Sequence, residues 1–200
     1  GGLLLLREFD DRIGFIDHLN SCIEDKRAPH LIRHTYKEML TQRIFQIACG
    51  YEDADDSDLL RNDSLLKICA GRTPESSPLS SQPTISRLEN KLSTRELYDM
   101  GVCFIEEFIR SYDKAPDCII LDCDDSNFNA YGNQQGTLFN NYYDEYCYMP
   151  LFIFEGISGK MVLPLLRTGR RNKSTNISGI LRRLIGLLRK HWKKTRFIVR

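Results

Sequence analysis

Residues 118–136 read Cys-Ile-Ile-Leu-Asp-Cys-Asp-Asp-Ser-Asn-Phe-Asn-Ala-Tyr-Gly-Asn-Gln-Gln-Gly. Ile119-Ile120-Leu121 is a short apolar run that reads as a strand, and it ends in Asp122, Cys123, Asp124, Asp125 and Ser126. Alternation along a strand puts Asp122 and Asp124 on one face and Cys123 and Asp125 on the other. Carboxylates at the end of a buried strand are costly unless they are paired or hold a cation. Their hard oxygens suit a divalent metal. A strand that simply leaves into an Asp-rich turn accounts for the same residues, and the stretch alone leaves both readings open.

Working outward, Pro116 breaks a long amphipathic pattern that starts at Thr94 and ends near Tyr112, with Leu97, Met100, Val102, Phe104, Ile105, Phe108 and Ile109 as its apolar positions. On the other side, Gly132, Asn133, Gln134 and Gly136 mark a loop, followed by the aromatic, Asn-rich patch Phe139-Asn-Asn-Tyr-Tyr. Met149–Glu155 and Lys160–Arg167 read as two strands joined by a tight turn at Gly156–Gly159. Pro164 lacks an N–H and places the second of them at a sheet edge. A basic loop over residues 169–174 leads to a helix capped at Thr175 or Ser178. Its apolar face is Ile177, Ile180, Leu181, Leu184, Leu187, Leu188 and Trp192. Phe197–Val199 begins a further strand.

Residues 3–50 read as helices. Leu3–Phe9 and Ile13–Ile23 carry apolar residues at three- and four-residue spacing, and Pro29 opens a helix running from about His30 to Ala48 that Gly50 stops. His30 and His34 lie four apart, but Leu31 stands where a zinc-protease helix has its Glu, which favours a surface or capping role. The acidic stretch Gly50–Asp58 lacks the glycine and closing Glu of a calcium loop, so it reads as a helix cap at Asp56, Ser57 or Asp58. A short helix over Leu59–Cys69, a Ser/Pro/Gly loop over Gly71–Pro83 and a helix start at Thr84–Asn90 follow.

The net charge of +1 hides a strong asymmetry. Residues 156–200 hold 13 Lys and Arg and no Asp or Glu, leaving about −12 on the rest. A basic stretch of this density suits a polyanion such as DNA; it also suits a solvated helix face paired with the acidic half. Seven cysteines without a Cys-x-x-Cys pair fit free thiols in a reducing compartment. Leu3–Leu6 is too short for a signal or membrane segment. Gly1-Gly2 in place of an initiating Met, and the abrupt stop after Phe197–Arg200, read as the two ends of a piece of a longer protein.

The order is an all-helical front over 1–115, then strand, strand, strand, helix, strand over 116–200. That second order is similar to the ribonuclease-H-like fold, in which the third strand is an edge and the first and fourth are neighbours. The expected class is therefore α+β or α/β, an all-helical region followed by an incomplete mixed sheet. The chain also resembles the group 1 DDE transposases of bacterial insertion sequences over nearly its whole length. The matching pieces are Gly1-Gly-Leu-Leu-Leu-Leu-Arg, Gly50-Tyr-Glu-Asp-Ala-Asp-Asp, Asp58-Leu-Leu-Arg, Ser81-Gln-Pro-Thr-Ile-Ser-Arg-Leu-Glu-Asn, Leu121-Asp-Cys-Asp-Asp-Ser, Gly132-Asn-Gln and Leu166-Arg-Thr-Gly. Each is weak alone; their order and spacing together are specific.

The resemblance implies a helical DNA-binding and assembly region followed by a catalytic domain performing phosphoryl transfer with two Mg²⁺ or Mn²⁺ ions. It makes Asp124 the first-choice catalytic and metal-ligating residue and Asp122 the second, with Ser126 in place of the usual Thr. It puts a second Asp just past Arg200 and a Glu further on, so that the piece alone is expected to be inactive. Asn133, Gln134 and Arg167 are candidate DNA contacts near the site, and Arg170, Arg171, Lys173, Arg182 and Arg183 are candidate phosphate contacts. The implied partners are transposon-end and target DNA and further copies of the chain, in a bacterial cytoplasm at the nucleoid, with no membrane. The competing expectations are a non-catalytic DNA-binding remnant, a ribonuclease-H-like nuclease that does not join strands, and a protein-interaction module.

Overall fold

The structure is a computed structural model that describes residues 2–132, 134–169 and 177–200. The chain forms two compact units, Gly1–Met100 and Gly101–Arg200. Helices α1 (Gly2–Ile13), α2 (Phe15–Ser21), α3 (Tyr36–Ala48), α4 (Asp56–Leu60), α5 (Ser64–Cys69) and α6 (Gln82–Lys91) make up the first, and α7 (Thr94–Arg110) carries the chain into the second.

The expected helix at 30–48 starts later than Pro29 suggests. Pro29–Leu31 is a single 3₁₀ turn, Leu31 is 72% exposed, and α3 begins after Thr35. The Thr35 hydroxyl accepts from the Glu38 N–H at 3.1 Å, the half of a capping box that fixes a helix start. Likewise the 59–69 pattern splits into α4 and α5, because Asp63 caps α5 by accepting from the Leu66 N–H at 2.8 Å. Along α3 the buried face includes Tyr36, Met39, Leu40 and Phe45, with Gln42 and Gln46 among them. Gln42 exchanges two 2.9 Å hydrogen bonds with the backbone of Ser80, and so satisfies its buried amide. The acidic stretch is structural: the carbonyls of Glu52 and Asp53 accept from Arg43 and that of Asp53 also from Gln46. His34 pairs with Glu38 at 2.9 Å beside Arg72, and His30 is exposed.

In the second unit, β1 (Cys118–Asp125), β5 (Leu151–Glu155), β6 (Met161–Leu165) and β7 (Arg196–Val199) form one sheet in the order β6-β5-β1-β7. β1 runs antiparallel to β5 and parallel to β7, and β5 runs antiparallel to β6. The parallel pair is joined by a crossover through α8 (Ile177–His191). Pro164 does sit on the edge strand β6. An all-helical front followed by this mixed sheet is an α+β, ribonuclease-H-like arrangement.

One sheet face is packed. Ile119 and Leu121 of β1, Leu151 and Ile153 of β5 and Leu163 of β6 meet Ile105 and Phe108 of α7 and Leu184, Leu188 and Trp192 of α8. Phe108, Tyr112 and Trp192 close this core edge-to-face, with ring centroids 5.2–5.7 Å apart.

A second sheet, in the order β2-β4-β3, lies between β1 and β5 in the chain: β2 (Phe128–Asn129), β3 (Leu138–Asn140) and β4 (Glu145–Tyr148). The loop expected at 132–136 is present, with Gly132 and Gly136 at positive φ, but the aromatic patch after it is β3 and a turn. Strands of two to four residues leave too short a period to be read from sequence.

Leu121 is fully buried at the centre of the second unit. Leu121→Ala is expected to lower the unfolding free energy by about 2–5 kcal/mol. Denaturant titration followed by the fluorescence of Trp192, the only Trp in the chain, measures it. Leu31→Ala serves as the exposed control and stays within about 0.5 kcal/mol.

Candidate active site

Because β1 alternates, packing Ile119 and Leu121 against α7 and α8 turns Ile120, Asp122 and Asp124 to the opposite face. The register places Phe154 beside Asp122 and Phe152 beside Asp124. On the β7 side, Ile198 lies beside Ile120, and the ladder continues with Arg200, whose N–H donates to the Leu121 carbonyl at 2.9 Å. The two aspartates are thus brought together on the face not occupied by the helical core.

Their environments differ. Asp122 receives a bidentate grip from Arg200, Nε to Oδ1 and Nη2 to Oδ2, each at 2.7 Å. Hydrogen bonding from Arg200 holds the Asp122 carboxyl below its ordinary value of 3.8 and raises the Arg200 guanidinium in turn. Asp124 is exposed, and among the described residues no hydrogen bond or ion pair engages its carboxylate. Asp125 points the other way and pairs with Arg167, whose Nε also donates to the Met149 carbonyl at 2.9 Å. The Arg167 side chain is only 8% exposed, so its guanidinium ties the end of β1 to the chain leaving β6.

Gly156 makes room for the Asp122–Arg200 pair. A Cβ built there would lie 2.6 Å from both Arg200 Nη2 and Asp122 Oδ2. The turn it begins is organised by Glu155, whose carboxylate accepts from the N–H groups of Ser158 at 2.6 Å, Ile157 at 3.1 Å and Ile120 at 3.4 Å. Burial works to raise the Glu155 pKa, but these bonds and one from the Ser158 hydroxyl outweigh it, and the net shift is downward.

The remaining sequence candidates scatter. Gln134 is exposed in a cleft with Asn129, Tyr131 and Tyr146. Arg182 and Arg183 are exposed on α8, which covers the opposite face of the main sheet from Asp122 and Asp124. Asn133, Arg170, Arg171 and Lys173, and the cap at Thr175, lie outside the described residues. Sequence reading assigns Arg200 only to the basic tail and Gly156 only to a turn. The signal that connects them to Asp122 is the parallel register of β1 and β7, which becomes visible once the strands are paired.

The donors on this face are carboxylate oxygens, the chemistry that Mg²⁺ or Mn²⁺ selects. Asp124 is exposed, whereas the oxygens of Asp122 are engaged by Arg200. No cluster of three metal-ligating groups includes either residue among the described residues.

Fold and site together define a ribonuclease-H-like α+β protein with two aspartates at the end of its central strand. The family described as "Transposase DDE domain group 1" matches residues 1–200, and the chain belongs to that family. No curated protein and no solved structure matches it. Among the described residues no helix is long and apolar enough to cross a membrane.

Two outcomes are expected. In an NMR titration, Arg200→Ala moves the Asp122 pKa up toward 3.8, and a value that stays depressed would remove the pair as its cause. The lowered folded-state pKa of Glu155 means that its contribution to stability is present above about 4.5 and is lost as pH falls through the depressed value. Glu155→Gln therefore flattens the acid limb of a stability–pH curve, which denaturant midpoints at stepped pH will show.

Proposed function

We propose that the chain supplies the first catalytic carboxylate of a DNA transposase, which cuts transposon ends and joins them to target DNA by phosphoryl transfer. The observation that carries this reading is Asp124, an exposed carboxylate without a partner among the described residues, on the open face of the central strand. Family membership supports the reaction class.

In this reading Asp124 holds a divalent cation through its oxygens. A bound Mg²⁺ or Mn²⁺ supplies Lewis-acid polarisation of a phosphoryl oxygen and lowers the pKa of bound water. Asp122, neutralised by Arg200, shapes the site and keeps the local negative charge low, so that a phosphate can approach Asp124. Arg167 holds Asp125 away on the opposite face and fixes where β1 ends. Phosphate contacts from exposed basic residues such as Arg182 and Arg183 add affinity with little sequence readout. The helical region 1–115 serves DNA binding and assembly, and the protein works as an oligomer on DNA in the bacterial cytoplasm. A second reading, a DNA-binding protein without chemistry, draws on the Arg200 grip, which leaves one of the two aspartates unavailable.

The test separates them. Mn²⁺ added to the chain should broaden backbone resonances around Asp124, and Asp124→Asn should abolish the effect while the Asp122–Arg200 pair persists. In a cleavage assay on transposon-end DNA with the longer protein that supplies the other two acids, Asp124→Asn should lose about 100-fold or more in rate, with DNA retention unchanged. Cleavage at the normal rate by Asp124→Asn would sink the catalytic reading. Cleavage without joined product would leave a nuclease.

A further inference from the structure

The second sheet carries side chains that the carboxylate site does not use. Its register opposes Phe128 to Tyr148 and Phe139 to Tyr146. Opposed residues share a face, and so do residues two apart on a strand, so all four aromatics project from one side. Tyr146 is 60% exposed, Phe128 51% and Phe139 41%. On the other side Cys147 is fully buried, with Leu138 36% exposed beside it, and a Cβ on Gly169 would come within 2.5 Å of the Leu138 and Cys147 carbonyls.

This aromatic face runs into the carboxylate face of the main sheet. Phe128 stands 6.1 Å from Phe152 between ring centroids, and Phe152 stands 6.3 Å from Phe154. Phe152 and Phe154 are the cross-strand neighbours of Asp124 and Asp122. At the far end Phe139 and Tyr146 meet edge-to-face at 5.4 Å. A strip of rings therefore begins beside Asp124 and extends through Phe152 and Phe128 onto the second sheet. A cleft next to it is lined by Tyr131, Gln134, Thr137 and Tyr146, with Asn129 and Glu145 reaching it from the Cys147 side of the sheet, so the Gln134 amide stands beside the aromatic surface.

We propose that this strip is a stacking platform for unpaired DNA bases on the strand whose phosphate reaches Asp124. The inference rests on the DNA reading above and deepens it. Three features favour bases over a protein partner. The surface is aromatic with polar edges, and a flat ring stacks on any base while the Gln134 amide can meet base edges. It is continuous with the carboxylate site, where a DNA strand undergoing phosphoryl transfer has to lie. Arg200, one of the 13 basic residues over 156–200, lies on this carboxylate face, whereas Arg182 and Arg183 lie over the opposite one. Glu145, the carboxylate within β4, belongs to the Cys147 side of the sheet, accepts from Asn127 and reaches the edge of the same cleft.

Fluorescence anisotropy on the 200-residue chain tests it with three probes: a blunt duplex, the same duplex with a short single-stranded overhang, and the single strand alone. The overhang probe carries 2-aminopurine, whose emission falls on stacking. The expected result is tighter binding of the overhang probe than of the blunt duplex, with quenching. The double variant Phe139→Ala/Tyr146→Ala loses the preference and the quenching, with overhang affinity about 10- to 100-fold weaker and blunt-duplex affinity unchanged. Tyr146→Trp keeps both. Equal affinity of the unaltered chain for blunt and overhang probes, without quenching, overturns the proposal and leaves the DNA reading standing. A double variant that weakens all probes equally also overturns it. So does one that alters sedimentation of the chain while overhang preference is intact, which makes the face an interface between copies. Binding of no probe overturns the DNA reading together with this one.

Discussion

The structure of the second unit depends on the two-sidedness of one strand. β1 is central, hydrogen-bonded to β5 on one edge and to β7 on the other. Its odd-numbered residues Ile119 and Leu121 must be covered, and α7 and α8 cover them. Burying those two side chains fixes the register, because a slip of one residue would bury Ile120 and Asp122 and expose Leu121. The energy of an apolar core thus decides where two carboxylates point. Moving Asp122 and Asp124 into the core would desolvate two charges with no partners there, which costs far more than a single leucine contributes.

Within that frame, the end of β1 sorts three aspartates by environment. Asp122 meets a guanidinium from the neighbouring parallel strand, Asp125 meets Arg167 on the other face, and Asp124 between them meets solvent. Three adjacent like charges would repel; giving the outer two a cation each relieves that repulsion and leaves one carboxylate reachable. Gly156 belongs to the same arrangement, since any Cβ at that position would intrude on the Asp122–Arg200 pair.

Much of this was legible in the sequence, for identifiable reasons. Apolar runs of four or more residues with breakers at both ends, such as Cys118–Leu121 and Leu151–Phe154, announce strands, and Pro164 announces an edge. The heptad-like spacing from Ile177 to Trp192 announces the crossover helix. What was not legible depends on contacts between distant residues. Thr35 and Asp63 redefine helix starts through single hydrogen bonds. The second sheet rests on strands too short to carry a period, and its one-sided aromatic face emerges only from the pairing of β2, β3 and β4. Arg200 looked like one more basic residue in a basic tail. Its pairing with Asp122 follows from parallel register, a property of two strands separated by 78 positions in the chain.

The position of α8 also constrains how a nucleic acid could use the basic stretch. Arg182 and Arg183 ride on the helix packed against the Leu121 face, and Asp124 lies on the opposite face. A helix stacked on a sheet puts on the order of 10 Å or more between the outer surface of one and the far surface of the other. A phosphate held by Arg182 or Arg183 therefore cannot be the phosphate that reacts at Asp124. Under the proposed function these arginines would contact the same duplex far from the reacting bond, or a different duplex. Density of positive charge along the sequence does not say on which side of the sheet each cation lies; the layer order of the fold places Arg182 and Arg183 on the side opposite Asp124. Under the proposed function, substitutions of Arg182 and Arg183 should then change DNA affinity without changing the chemistry at Asp124, because the sheet separates them.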